Sequence, residues 1–237
     1  MIRRNVLGGL AVSLVCLATT ARAQTIYGPG GLFVYPSAFT PVRGTFNLNA
    51  SFFTQTETGR GRAEWQPTSL TYSPTDRAQL GASFIHRHRE GESSGSGGVF
   101  GKYRLISSAP DHPATVSVVG SYLGPGITQS SLGVVASQSF KEGDLTRYTG
   151  HLGVRWARKG SQDGLAAFVG AQATLSPSVS VLAEFGTRFR FDVKASTGIG
   201  VVWAGRGQSL GVGYVNTGGS QNSQFFIGAG YPLGGAK

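Results

Sequence analysis

From residue 43 almost to its end the chain alternates between apolar and polar side chains in short runs, and almost nothing repeats at the helical period. Successive side chains leave a strand on opposite faces, so a period of two means strands with two unlike faces. Between 145 and 158, Tyr148, Leu152, Val154 and Trp156 fall on one side and Arg147, Thr149, His151, Gly153 and Arg155 on the other. Between 179 and 190, Val179, Val181, Ala183, Phe185 and Phe189 oppose Ser180, Glu184, Gly186, Arg188 and Arg190. Between 192 and 203, Val193, Ala195, Ile199, Val201 and Trp203 oppose Asp192, Lys194, Ser196, Gly198 and Gly200.

Twelve strands are expected, over 43–55, 62–73, 78–89, 98–107, 114–123, 130–141, 145–158, 164–175, 179–190, 192–203, 208–217 and 223–233, with ten as the alternative count. Tight connections rich in turn residues (73–77, 109–113, 142–144, 176–178, 205–207) alternate with polar, mostly longer ones (56–61, 90–97, 124–129, 159–163, 217–222). Residues 93–98 read as a low-complexity loop tip, and 190–192 as a very tight turn. Short turns on one side and longer loops on the other are the habit of outer-membrane barrels, and an even strand count returns both termini to the periplasmic side.

The chain opens with Arg3 and Arg4, an apolar run from Val6 to Ala18, and Ala21-Arg22-Ala23. This is the pattern of a secretory signal peptide, and the run is short for a spanning helix. The expected organisation is a signal peptide over 1–23, a periplasmic segment over 24–42 that Pro36 and Pro41 keep extended and unpaired, and a barrel over 43–237. Cys16 is the one cysteine, so export leaves no thiol for catalysis or metal binding. The formal charge of +10 falls by three when Arg3, Arg4 and Arg22 leave. A basic surplus fits nucleic acid, anionic headgroups or an anionic solute. Export argues against nucleic acid, and Lys/Arg clusters interleaved with stacking aromatics are missing.

No later stretch approaches a transmembrane helix. A chain that crosses lipid without helices must close into a barrel, because closure alone pairs every backbone group. The fold expected is therefore all-β, an antiparallel up-and-down transmembrane barrel. A soluble sandwich or lipocalin-like barrel would use the same alternation inside out. Charged residues at 14 %, twelve strands, and a final strand carrying Phe225, Ile227, Ala229 and Tyr231 favour the membrane version. That strand resembles the assembly signal of outer-membrane barrels, with a Leu-Gly-Gly-Ala-Lys extension that departs from it. Arg or Lys facing lipid at mid-membrane costs about 2–4 kcal/mol, so the charged face belongs inside.

The expected basic wall of the lumen is Arg87, Arg89, Lys102, Arg104, Arg147, Arg155, Arg188, Arg190 and Lys194, with Glu64, Glu184 and Asp192 as acidic partners. Tyr122, Trp156, Trp203, Tyr214 and Tyr231 lie towards strand ends on the apolar face and are expected to form aromatic girdles. A water-filled basic wall concentrates anions. The reading is a narrow passive channel for anionic solutes such as acidic saccharides, set in outer-membrane lipid and lipopolysaccharide and delivered by the barrel assembly machinery. Arg–Glu pairs that plug the interior are the alternative, giving a structural barrel. His86 and His88 share a strand face without a carboxylate at matching spacing, which favours polar belt residues over a metal site. No compact Ser–His motif supports a lipid-modifying enzyme, so neither catalysis nor a cofactor is expected.

Gly31-Leu32-Phe33-Val34-Tyr35-Pro36-Ser37-Ala38, followed by Gly44-Thr45-Phe46-Asn47-Leu48, is similar to the Gly-Leu-x-x-x-Pro-Thr/Ser-Ala…Gly segment that opens barrels of the YjbH type. Those are outer-membrane proteins associated with exopolysaccharide. The resemblance covers about twenty residues and implies the location, with an accessory role in polysaccharide export as a further expectation.

Overall fold

The computed structural model describes residues 34–57, 61–89, 91–110, 113–124, 128–142, 145–189, 195–205, 208–216 and 224–234. The expected signal peptide lies outside them. The strands are β1 (Phe46–Glu57), β2 (Gly61–Tyr72), β3 (Ala78–Arg89), β4 (Glu92–Ile106), β5 (Thr115–Leu123), β6 (Gln129–Glu142), β7 (Leu145–Lys159), β8 (Gln162–Ser176), β9 (Val179–Gly186), β10 (Ser196–Gly205), β11 (Gln208–Asn216) and β12 (Gln224–Gly234). Each pairs antiparallel with its chain neighbours, and β12 returns to β1 with Phe226 opposite Phe53. The result is a closed twelve-strand barrel with no sheet edge, the expected fold class. β1 starts and β12 ends at one rim, called here the terminal rim; the opposite one is the far rim.

Three local expectations are corrected. Residues 93–98 are strand, not loop tip: β4 begins at Glu92 and pairs with β3 up to Arg89, and Gly91 supplies the positive φ of 88° that so tight a turn demands. The strand expected over 179–190 ends instead at Gly186, and 187–189 are not strand; the very tight turn expected at 190–192 lies outside the described residues. Nor do connection lengths separate the rims: 107–114 at the terminal rim is longer than 90–91 or 160–161 at the far rim. Among the described residues the four register shifts in the wall, at Phe46/Asn47, Arg104/Ile106, Phe140/Lys141 and Thr174/Ser176, lie near the terminal rim. Bulges concentrate where pairing must end and strands bend.

The outer face is apolar all round. Leu152 is 63 % exposed, and Val99, Leu132, Leu165, Val169 and Ile199 stand out from the wall in the same way. A soluble barrel would bury such a face and lipid would cover it. Leu152→Arg is expected to destabilise the barrel in lipid vesicles by about 2–4 kcal/mol. Urea unfolding measures it, and a loss near zero would mean that the face meets water.

Candidate functional site

Register assigns the inner face without ambiguity. Phe53 opposes Trp65, Trp65 opposes Arg87, and Arg87 opposes Ser94, so these share one side of the wall. The same parity puts Lys102, Arg104, Arg147 and Arg155 inside. They form two groups instead of one continuous wall. Arg87, Arg89 and Arg155 lie towards the far rim; Lys102, Arg104 and Arg147 lie towards the terminal rim. Two arginines of the far group rest on aromatic faces: Arg87 over Trp65 at 5.4 Å and Arg155 over Phe189 at 5.3 Å. Such contacts contribute about 0.5–1 kcal/mol at open sites and hold the guanidinium against the wall. Arg89 reaches Glu92 across the β3–β4 turn at 3.0 Å.

The remaining candidates divide. Glu64 stands opposite Thr54 and His88, next to inward Trp65, so it belongs to the outer parity at the far rim and is not a lumen acid. Arg188 is exposed and lies beyond the end of β9. The alternation expected for 179–190 fails after Gly186, where the chain leaves the wall and Phe189 turns in to pack with Ala157 and Ala166. Arg190, Asp192 and Lys194 lie outside the described residues. Tyr122, Trp156 and Tyr214 project outward near the far rim, and Trp203 and Tyr231 near the terminal rim.

Between the two basic groups the lumen is packed. Phe53, Val119, Val135, Phe168, Leu182, Val202, Val215 and Phe226, from β1, β5, β6 and β8 to β12, are buried in one cluster, with Trp65 of β2 packed against it. Val34, Tyr35 and Ala38 belong to the same cluster. The segment ahead of β1, expected as a periplasmic stretch kept unpaired, joins none of the twelve strands; it lies inside the barrel, and Pro36 forms a single β-bridge.

Its backbone is recognised step by step. Glu184, 5 % exposed and opposite Gly170 midway along β8, accepts the Val34 N–H through Oε1 at 2.7 Å and the Tyr35 N–H through Oε2 at 3.1 Å. The Ala38 N–H donates to Ser137 Oγ at 2.8 Å, and Ser117 Oγ donates to the Ala38 carbonyl at 2.6 Å. Lys102, 2 % exposed, donates through Nζ to the carbonyls of Ser37 at 3.3 Å and Phe39 at 2.5 Å. The Tyr35 ring stacks on Phe168 with centroids 4.4 Å apart, and its hydroxyl meets Ser196 Oγ. The wall is bare where this happens: a Cβ at Gly186 would collide with the Tyr35 phenol, and one at Gly198 with Glu184. At the terminal rim the segment hooks under the β2–β3 turn, where the Thr40 hydroxyl donates to the Asp76 carbonyl and the Arg43 N–H to Asp76 Oδ1.

Ser137 Oγ also lies 2.8 Å from His151 Nδ1, with the Phe39 ring edge-on to the imidazole. This Ser–His pair is buried on the inner face and faced by the segment, so a lipid chain on the outer surface does not reach it.

No protein-family profile matches the chain, and no curated protein matches it. The YjbH-type resemblance thus rests on the opening segment alone. Solved structures do share the architecture. The KdgM porin superposes with a TM-score of 0.58 at 10 % identity, over 78 % of this chain and 98 % of that one, also in its complex with disordered oligogalacturonate. An outer membrane channel from Pseudomonas putida F1 gives a TM-score of 0.55 at 12 % identity, over 84 % and 100 % of the two chains. A deletion mutant of the TodX monoaromatic hydrocarbon channel gives 0.50 at 10 % identity, over 82 % and 91 %. At such identities the likeness is one of fold, and that fold is the one outer-membrane channels use.

Proposed function

We propose that the chain is an outer-membrane barrel acting as a narrow passive channel for small anionic solutes. The observation that carries this reading is the pairing of an apolar outer face with inward arginines and lysine at both ends of a closed barrel. Fixed positive charge at a confined entrance raises the local anion concentration and disfavours cations. Arg87 and Arg155, set over aromatic rings, suit the carboxylate of an acidic saccharide, which also presents apolar ring faces. The oligogalacturonate bound by the KdgM porin is a solute of that class. The outward Tyr122, Trp156, Tyr214, Trp203 and Tyr231 serve as girdles at the two headgroup levels, against lipopolysaccharide on one side and phospholipid on the other. Delivery to that membrane needs the barrel assembly machinery, because long-range β pairing folds slowly.

A second reading has its own observation. The apolar cluster and residues 34–38 fill the middle of the lumen, as a structural or accessory barrel would require. The resemblance of the opening segment to YjbH-type barrels links that role to exopolysaccharide secretion. A lipid-modifying enzyme has less support, since the Ser137–His151 pair is enclosed.

Reversal potentials in a planar bilayer under a salt gradient decide between the first two. Anion-selective openings are expected, with the anion-to-cation permeability ratio falling roughly twofold in Arg87→Ala/Arg155→Ala. A folded barrel without current, both as the full chain and without residues 1–39, would favour the structural role.

A further inference from the structure

We propose that the lumen is a peptide-binding site whose resident ligand is the chain's own segment 34–39, and that this segment is a removable plug. The proposal rests on the channel reading and adds the state in which the channel is shut.

The contacts have the character of ligand recognition. An acceptor, Glu184, takes the two N–H groups at one end of the segment; a donor, Lys102, takes two carbonyls at the other; Ser117 and Ser137 take the carbonyl and N–H of Ala38 between them. All six hydrogen bonds join the segment's backbone to side chains from four separate strands, β4, β5, β6 and β9. Tyr35 adds a shaped pocket: its ring is stacked on Phe168 and set against Gly186, where any Cβ would strike it. Two wall positions reduced to glycine where Tyr35 and Glu184 lie show a wall cut back to admit a guest. The same glycines leave open space when the guest departs, since no side chain at 186 or 198 is there to fill it.

The attachment combines six polar contacts with the buried side chains of Val34, Tyr35 and Ala38 and is non-covalent throughout. Apart from a single β-bridge at Pro36 the segment joins no strand of the ladder; both ladder neighbours of β1 are β2 and β12. Its release therefore breaks no wall hydrogen bond and keeps the barrel closed as a sheet. Released, it removes Val34, Tyr35 and Ala38 from the cluster that joins the two basic groups, and the inner faces of β8, β9 and β10 line the space that opens.

Thiol labelling and conductance test this together. Cys16 is the chain's one cysteine and lies within the expected signal peptide, so Ser37→Cys gives a single reporter at a buried, nearly isosteric position in the processed barrel. A water-soluble maleimide is expected to label Ser37→Cys about a hundredfold more slowly than Ser161→Cys in the exposed β7–β8 turn, as for a group reached only through a local opening. Adding Glu184→Leu, or separately Gly186→Val, is expected to remove nearly all of that protection while heat-modifiability shows the barrel intact. In a bilayer the full chain is expected to be mostly shut, and the barrel refolded without residues 1–39 mostly open. Equal labelling of Ser37→Cys and Ser161→Cys would overturn the plug. Protection of Ser37→Cys together with silence of the folded, shortened barrel would keep the bound segment but overturn its gating role, and the channel reading with it. Openings equally frequent with and without the segment would overturn the plug and leave the channel standing.

Discussion

Phe168→Ala is expected to lower barrel stability by about 3–5 kcal/mol, among the largest losses available to a single truncation here. Three contacts converge on this ring. It is buried in the lumen cluster, it stacks nearly parallel on Tyr35, and it covers the inner surface of Gly153, where a Cβ would overlap it. Truncation leaves a cavity between the wall and the segment, and rigid strands on both sides cannot collapse into it. About 0.5–1.5 kcal/mol belongs to the ring stack, which is lost as well. The informative comparison is Phe185→Ala, one strand away on the outer face. There lipid flows into the vacated space, so no cavity persists and a clearly smaller loss is expected. Urea unfolding of both variants in the same vesicles gives the two midpoints. Equal losses would mean that the lumen is loosely filled, and the segment would then have no fixed seat.

The barrel itself was legible because lipid and closure impose a rule that every strand obeys. Nine of the twelve expected strands coincide with the observed ones to within three residues at each end, β4, β9 and β10 being the exceptions. The exceptions follow from physics that a period of two does not carry. β4 runs on through serines and glycines that offer no apolar alternation, held by its ladder to β3. β9 stops at Gly186 although Arg188 and Arg190 continue the pattern, because Phe189 finds more contact inside, beneath Arg155. The lumen was less legible. Charged residues mark the inner face plainly, whereas Leu182 between Ser180 and Glu184, Val202 beside Gly200 and Phe226 beside Gly228 are single apolar residues on that same face. Those positions obey the inward parity and announce a packed interior. The role of the segment ahead of β1 had a fainter signal still. Val34, Tyr35 and Phe39 are large apolar residues in a stretch taken to be extended and unpaired, where nothing would bury them. An apolar group without a place in the wall needs one elsewhere, and the lumen is where the structure seats Val34 and Tyr35.

Glu184→Leu carries the second large effect, and its size should depend on whether the segment is present. In the full chain the substitution leaves the N–H groups of Val34 and Tyr35 buried without their acceptor. Each such group costs about 1–3 kcal/mol, so a loss of roughly 2–6 kcal/mol is expected. Glu184→Gln keeps one carbonyl oxygen for one of the two N–H groups and turns an amide donor towards the other, so an intermediate loss follows. In the barrel refolded without residues 1–39 the carboxylate has no backbone N–H of the segment to serve, and replacing it there is expected to cost clearly less than in the full chain. The difference between the two backgrounds is the coupling between Glu184 and the segment, isolated from whatever else the residue does in the wall. Lys102→Met run through the same pair of backgrounds is expected to lose more with the segment present, since its ammonium donates to two carbonyls of the segment. If Glu184→Leu cost as much without the segment as with it, the carboxylate would be stabilising the wall itself. Its two hydrogen bonds to Val34 and Tyr35 would then be incidental to a barrel that closes by its own packing.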